Sequence, residues 1–198
     1  MIVRAETGAD RDTIRHVIDE AFGDTKTNRI VDGIWVSDRF VPELSLVAVS
    51  GDQTVGHVIS SYVDFVPVAK RPVRAKRGPG EGVRGNREVS PPPNAQLTRV
   101  LQVGPLAVVP SHQRQGVGTA LMEETIRIAD ERGEPLLLIE GNPKYYGRFG
   151  FTRADEHGVE MPPESHGAPY FMIRPLAAFD PAIRGRAIYP PETFLLGY

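Results

Sequence analysis

Gln113, Arg114, Gln115, Gly116, Val117 and Gly118 bring amide donors, a cation and two glycines into six consecutive positions, a composition suited to holding an anion. The apolar run Leu101 to Val109 precedes them and an amphipathic segment follows, so the glycines fall where a helix opens. There the first backbone N–H groups have no intrahelical partners, and the macrodipole places partial positive charge. With no Cβ at Gly116 or Gly118, a diphosphate can come close to that backbone. A bare G-x-G at a helix start is also compatible with a simple tight turn. The strand ending in Val108-Val109-Pro110, the polar loop Ser111 to Gln115 and the helix after it make this pattern more demanding than two glycines alone.

Two other phosphate-binding readings fail on the residues. A dinucleotide fold also has strand, G-x-G, helix and a second strand ending in an acid, here Glu140. However, Leu121 stands where the third glycine belongs, the loop before Gly116 is too long, and too little chain follows for several βα units. The G-x-x-x-x-G-K-[ST] pattern of a P-loop is absent.

The other groups able to do chemistry are fewer. With no cysteine, the chain has neither a thiolate nucleophile nor thiolate metal ligands. His16, His112, His157 and His166 lack metal-ligand spacing with nearby carboxylates, so no metal is expected. The chain has 198 residues, 40% of them hydrophobic, which suits one domain spanning 1–198. A net charge of -2 is too close to zero to argue for a nucleic-acid or membrane partner of the whole domain, and neither is expected. No apolar run long enough to cross a bilayer and no leader-like opening are found, so a cytoplasmic protein is expected.

The elements that must position these groups follow from the hydrophobic pattern. Ile2 to Ala5 reads as a strand, and Thr7-Gly8-Ala9-Asp10 as a capping box before a helix with Ile14, Val17, Ile18 and Ala21 on its apolar face. A weaker helical stretch covers Ile30 to Trp35. Leu44 to Val49 and Val55 to Val66, joined through Ser50 to Thr54, form a hairpin. Residues 67–96 are dense in proline and glycine and carry Lys70, Arg71, Arg74, Lys76, Arg77, Arg84 and Arg87 against Glu81 and Glu88. They read as a flexible basic insertion, with a grip on phosphates or an acidic partner as the alternative. Leu101 to Val109 and Leu136 to Ile139 are buried strands, and the helix between them places Val117, Leu121, Met122, Ile126, Ile128 and Ala129 on its inner face. Tyr170 to Ile173 is a further strand, and a last extended segment runs over Ala187 to Phe194.

At this point the motifs meet a known pattern. Val108-Val109-Pro110-Ser111-His112-Gln113-Arg114-Gln115-Gly116-Val117-Gly118-Thr119-Ala120-Leu121 resembles the acetyl-coenzyme A motif Q/R-x-x-G-x-G/A of the GNAT N-acetyltransferases. Gly141-Asn142-Pro143-Lys144-Tyr145-Tyr146-Gly147-Arg148-Phe149-Gly150-Phe151 is similar to the Y-Y-x-R-F-G-F element of a bacterial subgroup of that superfamily, as are Gly104 to Val108 and Arg184 to Tyr189. The resemblance implies an α/β (α+β) fold with a mixed, mostly antiparallel sheet whose fourth and fifth strands splay apart, flanked by helices. It implies acetyl-coenzyme A as cosubstrate, held by Leu106, Ala107 and Val108 of the fourth strand, by Gln113 to Thr119, and by the rim of Tyr145.

It further implies direct transfer of an acetyl group to a primary amine in a ternary complex, with Tyr146 protonating the departing thiolate. The four aromatic residues Tyr145, Tyr146, Phe149 and Phe151 also suit an aromatic plug, and Tyr145 and Phe149, four apart, read as core. Asn142 stands nearer to Tyr146 than the commonest superfamily pattern places its asparagine, so it inherits no role. For the base, Glu140 at the end of the fifth strand is the first candidate and His57 the second. The acceptor is an unspecified amine, a homodimer stays open, and a coenzyme A sensor without turnover is the competing function.

Overall fold

A computed structural model of the chain describes residues 1–24, 26–67, 98–162, 165, 167 and 169–189. Of the expected 67–96 insertion only Pro67 is described, and it closes a strand rather than opening a loop; the rest lies outside the described residues, as does the end of the last expected segment.

Strand β1 (Ile2–Ala5) leads through a 3₁₀ turn into α1 (Arg11–Phe22). The entry is closed by Asp10, whose carboxylate accepts the Thr7 backbone N–H at 2.7 Å and the Thr7 hydroxyl at 2.8 Å. Arg4 docks on the same carboxylate at 2.8 and 2.9 Å and holds its pKa well below the usual range. The expected box is therefore centred on the acid at its far end. Ile14, Val17 and Ile18 recur at helical spacing and are buried, which ties α1 to the sheet. Gly23, with φ of 70°, supplies the left-handed residue that ends the helix.

Helix α2 (Lys26–Val36) follows, then β2 (Phe40–Ser50) and β3 (Gln53–Pro67), an antiparallel hairpin in which Ser50 faces Gln53 across a two-residue turn. The chain continues through β4 (Thr98–Val108), α3 (Val117–Glu131), β5 (Leu136–Glu140), the short α4 (Pro143–Tyr146), β6 (Thr152–Arg153), β7 (Val159–Glu160), β8 (Phe171–Pro175) and β9 (Gly185–Ile188).

The sheet order is β1-β2-β3-β4-β5-β8-β6, with β9 added to β3 beyond the start of β2 and β7 added to β9. All pairings are antiparallel except β4 with β5 and β7 with β9, so the sheet is mixed and mostly antiparallel, with helices against it, as expected. The apolar run of β5 is buried on both faces: Leu137 and Ile139 join a core with α1, α2 and α3, while Leu136 and Leu138 join a second cluster with β8 and β9. In α3, Val117, Leu121, Met122 and Ala129 are buried and Ile126 and Ile128 pack at the margin. Thr125 is the polar residue of that face, and its hydroxyl donates to the Leu121 carbonyl at 2.8 Å. Among the described residues no helix is long and apolar enough to cross a membrane.

Candidate active site

The site begins where β4 leaves β5. The two strands pair in parallel only from Leu101 opposite Leu137 to Val103 opposite Ile139. On its other edge β4 remains paired with β3 as far as Val108, but between Val103 and Leu106 the register shifts by one extra residue on the β4 side. Gly104, with φ of 131°, sits in that bulge, where glycine carries no Cβ penalty and Pro105 offers no ladder N–H. Beyond the bulge β4 is no longer paired with β5, and a cleft lies past that point.

Past Val108 the chain makes a 3₁₀ turn over Pro110–His112 and then the glycine loop. Two side chains brace this loop from within: the Gln113 amide donates to the Val108 carbonyl at 3.1 Å and the Gln115 amide to the Ser111 carbonyl at 2.8 Å. Arg114 and Gly116 both take left-handed conformations, with φ of 59° and 87°. Such a conformation costs an arginine on the order of 1–3 kcal/mol and concentrates at ligand sites. It delivers the chain to Val117, where α3 opens with first-turn amides that have no intrahelical partner.

The opposite wall is the aromatic element. Asn142 caps α4, its side chain accepting the Lys144 N–H at 2.9 Å, which gives it a structural role close to Tyr146. Tyr145 and Tyr146 meet edge to face at 4.8 Å between ring centroids, and Phe149 and Phe151 support them at 5.6 and 6.1 Å. Glycines make room for both tyrosines. A Cβ at Gly141 would lie 2.4 Å from the Tyr146 ring, and one at Gly118 would lie 2.5 Å from the Tyr145 hydroxyl. Gly118 therefore serves the fit of Tyr145 against α3, a reason for this glycine that sequence reasoning did not find.

Between these walls lies a cleft of about 700 Å³ lined by Leu106 and Val108 of β4, Gln113, Arg114, Gly116, Gly118 and Thr119 of the loop and helix, and Tyr145 and Tyr146. Ala21 and Phe22 from the end of α1, with Gly141, Asn142 and Arg148, complete it. These five were missed as lining residues. Arg148 had a visible signal as the cation of the Y-Y-x-R-F-G-F element, whereas nothing local marks Ala21 or Phe22. Ala107, whose side chain is buried in the core, and Gln115 and Val117 do not line the cleft.

Burial pushes the Tyr146 phenol up to about 12, so it stays protonated at any working pH. Its hydroxyl has no hydrogen-bond partner among the described residues. The two base candidates stand elsewhere. Glu140 does not line the cleft; its carboxylate accepts the Ser165 hydroxyl at 2.6 Å and the Tyr189 hydroxyl at 3.0 Å. His57 is wholly buried on β3, where its Nε2 lies 3.2 Å from the Ser45 hydroxyl and 3.3 Å from the Glu6 carboxylate. Desolvation lowers its pKa, with Glu6 opposing. Among the described residues no group of His, Cys, Asp and Glu could hold a metal ion.

Comparison with known proteins places this geometry. Residues 93–154, which contain the diverging strand, the loop, α3, β5 and the aromatic element, match the model of the acetyltransferase (GNAT) domain. Over 191 residues the chain is 29% identical to the uncharacterized N-acetyltransferase YjhQ of Escherichia coli K12, covering 93% of this chain and 91% of the relative. The fold is similar to that of the GNAT family N-acetyltransferase YhbS of Escherichia coli in complex with CoA, with a TM-score of 0.72, 22% identity, and 96% of this chain and 90% of that one covered. It is also similar to a GNAT family acetyltransferase of Brucella melitensis in complex with acetyl-CoA, at a TM-score of 0.64, 22% identity and 96% coverage of both chains. The matched segment, which builds both walls of the cleft, is similar to a GNAT acetyltransferase domain, and together with the N-acetyltransferase relative it supports an acyltransferase.

Proposed function

We propose that this protein transfers an acetyl group from acetyl-coenzyme A directly to a primary amine, with both substrates bound in the cleft between β4 and β5. The observation that carries the reading is the cleft itself: a strand edge unpaired with β5 beyond Val103, the helix-opening residues Gly116, Gly118 and Thr119 and a protonated phenol at Tyr146 border one volume. The pantetheine arm is taken to lie along Leu106, Ala107 and Val108, where the strand edge offers backbone groups and the Leu106 and Val108 side chains offer apolar contact. The diphosphate is assigned to the Gln113 to Thr119 loop.

In the reaction the amine lone pair attacks the thioester carbonyl, the tetrahedral adduct collapses, and the C–S bond breaks to leave an amide and a thiolate. Tyr146 donates its hydrogen bond to the sulfur as charge develops there. With a pKa near 12 the phenol gives up its proton reluctantly, so it steadies the thiolate and passes on the proton that the amine loses. Because neither Glu140 nor His57 lines the cleft, the amine is taken to attack as the free base. Relay of its proton to Glu140 through water is the competing route.

Release of free thiol from acetyl-coenzyme A, measured with a panel of primary amines, tests the proposal. Turnover with at least one amine supports it. Tight coenzyme A binding with no acyl transfer to any amine class would leave a coenzyme A sensor instead.

A further inference from the structure

We propose that Arg148 is a diphosphate ligand, the second half of a clamp whose first half is the α3 amino terminus. The assignment rests on the acetyl-coenzyme A reading above and adds to it a residue outside the glycine loop.

Three contacts fix where the guanidinium stands. It lies 4.1 Å above the Tyr145 ring and 4.8 Å from the centroid of Phe149, a cation–π stack that holds its plane. The hydroxyl of that same Tyr145 rests against Gly118, so the platform under the arginine is keyed into the first turn of α3. Arg148 Nη2 then reaches the Thr119 hydroxyl at 3.3 Å, a long bond to a neutral acceptor that a phosphate oxygen readily replaces.

Charge supplies the rest. Arg148 has no carboxylate partner among the described residues, in contrast to Arg127, Arg153 and Arg186, each paired with an acid at 2.6 Å or closer. It shares the cleft lining with Arg114 and with no Asp or Glu. Two cations with no carboxylate partner among the described residues, beside the opening of α3, complement the two negative charges of a diphosphate. Arg148 stands at Thr119, in the first turn of α3, which favours the diphosphate over the ribose 3′-phosphate as its target.

Calorimetric titration of wild type, Arg148→Gln and Arg148→Lys with coenzyme A and with dephospho-coenzyme A, which lacks the 3′-phosphate, tests this. The Gln variant is expected to bind both ligands about tenfold more weakly or worse, with a shallower salt dependence, and Lys to recover part of the loss. The KM for S-acetylpantetheine, which has no phosphate, should not change; a merely structural role for Arg148 would raise it too. Equal affinity of wild type and Arg148→Gln for coenzyme A overturns the assignment, and so does a loss seen with coenzyme A but not with dephospho-coenzyme A. If wild type itself fails to bind coenzyme A, the cofactor reading falls first, which separates the two failures.

Discussion

Two parts of this molecule hold titratable groups perturbed by burial, and they do opposite things with them. Glu6, Ser45 and His57 form a sealed cluster, with the histidine side chain 0% and the glutamate side chain 4% exposed; the Ser45 hydroxyl, His57 Nε2 and the Glu6 carboxylate bond to one another, while His57 Nδ1 is buried without a partner among the described residues. Tyr145, Tyr146 and Arg148 form a wall facing a cleft, and the Tyr146 hydroxyl meets no partner within the described chain. Desolvation moves both sites, lowering the His57 pKa and raising that of Tyr146. A perturbed pKa therefore marks burial in both places, and only access to the cleft separates the two groups.

The comparison breaks most readily at Tyr146. Tyr146→Phe should leave coenzyme A affinity within a few fold while lowering kcat by about 100-fold, the scale of lost general acid catalysis. Full turnover in that variant would make the cleft wall as purely structural as the sealed cluster.

A smaller effect is expected where the wall meets α3. Gly118→Ala brings a methyl to within 2.5 Å of the Tyr145 hydroxyl, whereas the ring carbon bearing that hydroxyl is 3.7 Å away. Overpacking should cost about 1–3 kcal/mol of stability and weaken coenzyme A binding. Adding Tyr145→Phe removes the clash and should restore much of both, read by thermal denaturation and titration. A double variant no better than Gly118→Ala would mean that the glycine is needed at the backbone and not for the tyrosine.

The sealed cluster should speak through stability rather than turnover. His57 has a depressed pKa in the folded protein, so below about pH 6.5 the unfolded chain takes up a proton that the folded chain refuses. Its contribution is thus present above pH 6.5 and is lost as pH falls toward the folded value, at up to about 1.4 kcal/mol per pH unit for one proton. Denaturant melts between pH 5 and 7 should show a flatter slope for His57→Asn, with kcat at pH 8 within a few fold of wild type. A kcat loss of the size expected for Tyr146→Phe would instead place His57 in the chemistry.

The smallest effect is expected at Glu140. With the amine attacking as free base, kcat/KM should rise with pH toward the amine's own pKa, and Glu140→Gln should keep the shape of that rise. A lost or shifted limb in the variant would assign the proton relay to Glu140.

How much could be read in advance differs between these regions for a physical reason. The strand, loop and helix from Leu101 to Ala129 were legible because the signals are local: an apolar run, glycines at the helix start, then apolar spacing near 3.6. The same holds for the α1 face at Ile14, Val17 and Ile18, the β2–β3 hairpin, and the doubly buried β5. The aromatic element could be recognised as a unit, but not which member faced the cleft or which glycine accommodated which ring.

The sequence by itself determined the types of the longer elements and the candidate anion loop, since these depend on side chains a few positions apart, whereas the mixed sheet was implied only by the family resemblance. Only the tertiary structure decided that Glu140 is held by Ser165 and Tyr189 beside the cleft, that His57 is shut in with Glu6, and that Arg148 stands over the first turn of α3. Those outcomes join residues 25 to 51 positions apart. No local spacing encodes such pairs: the sheet register and the divergence of β4 from β5 fix which side chains meet, and that divergence is set by the packing of both strands at once.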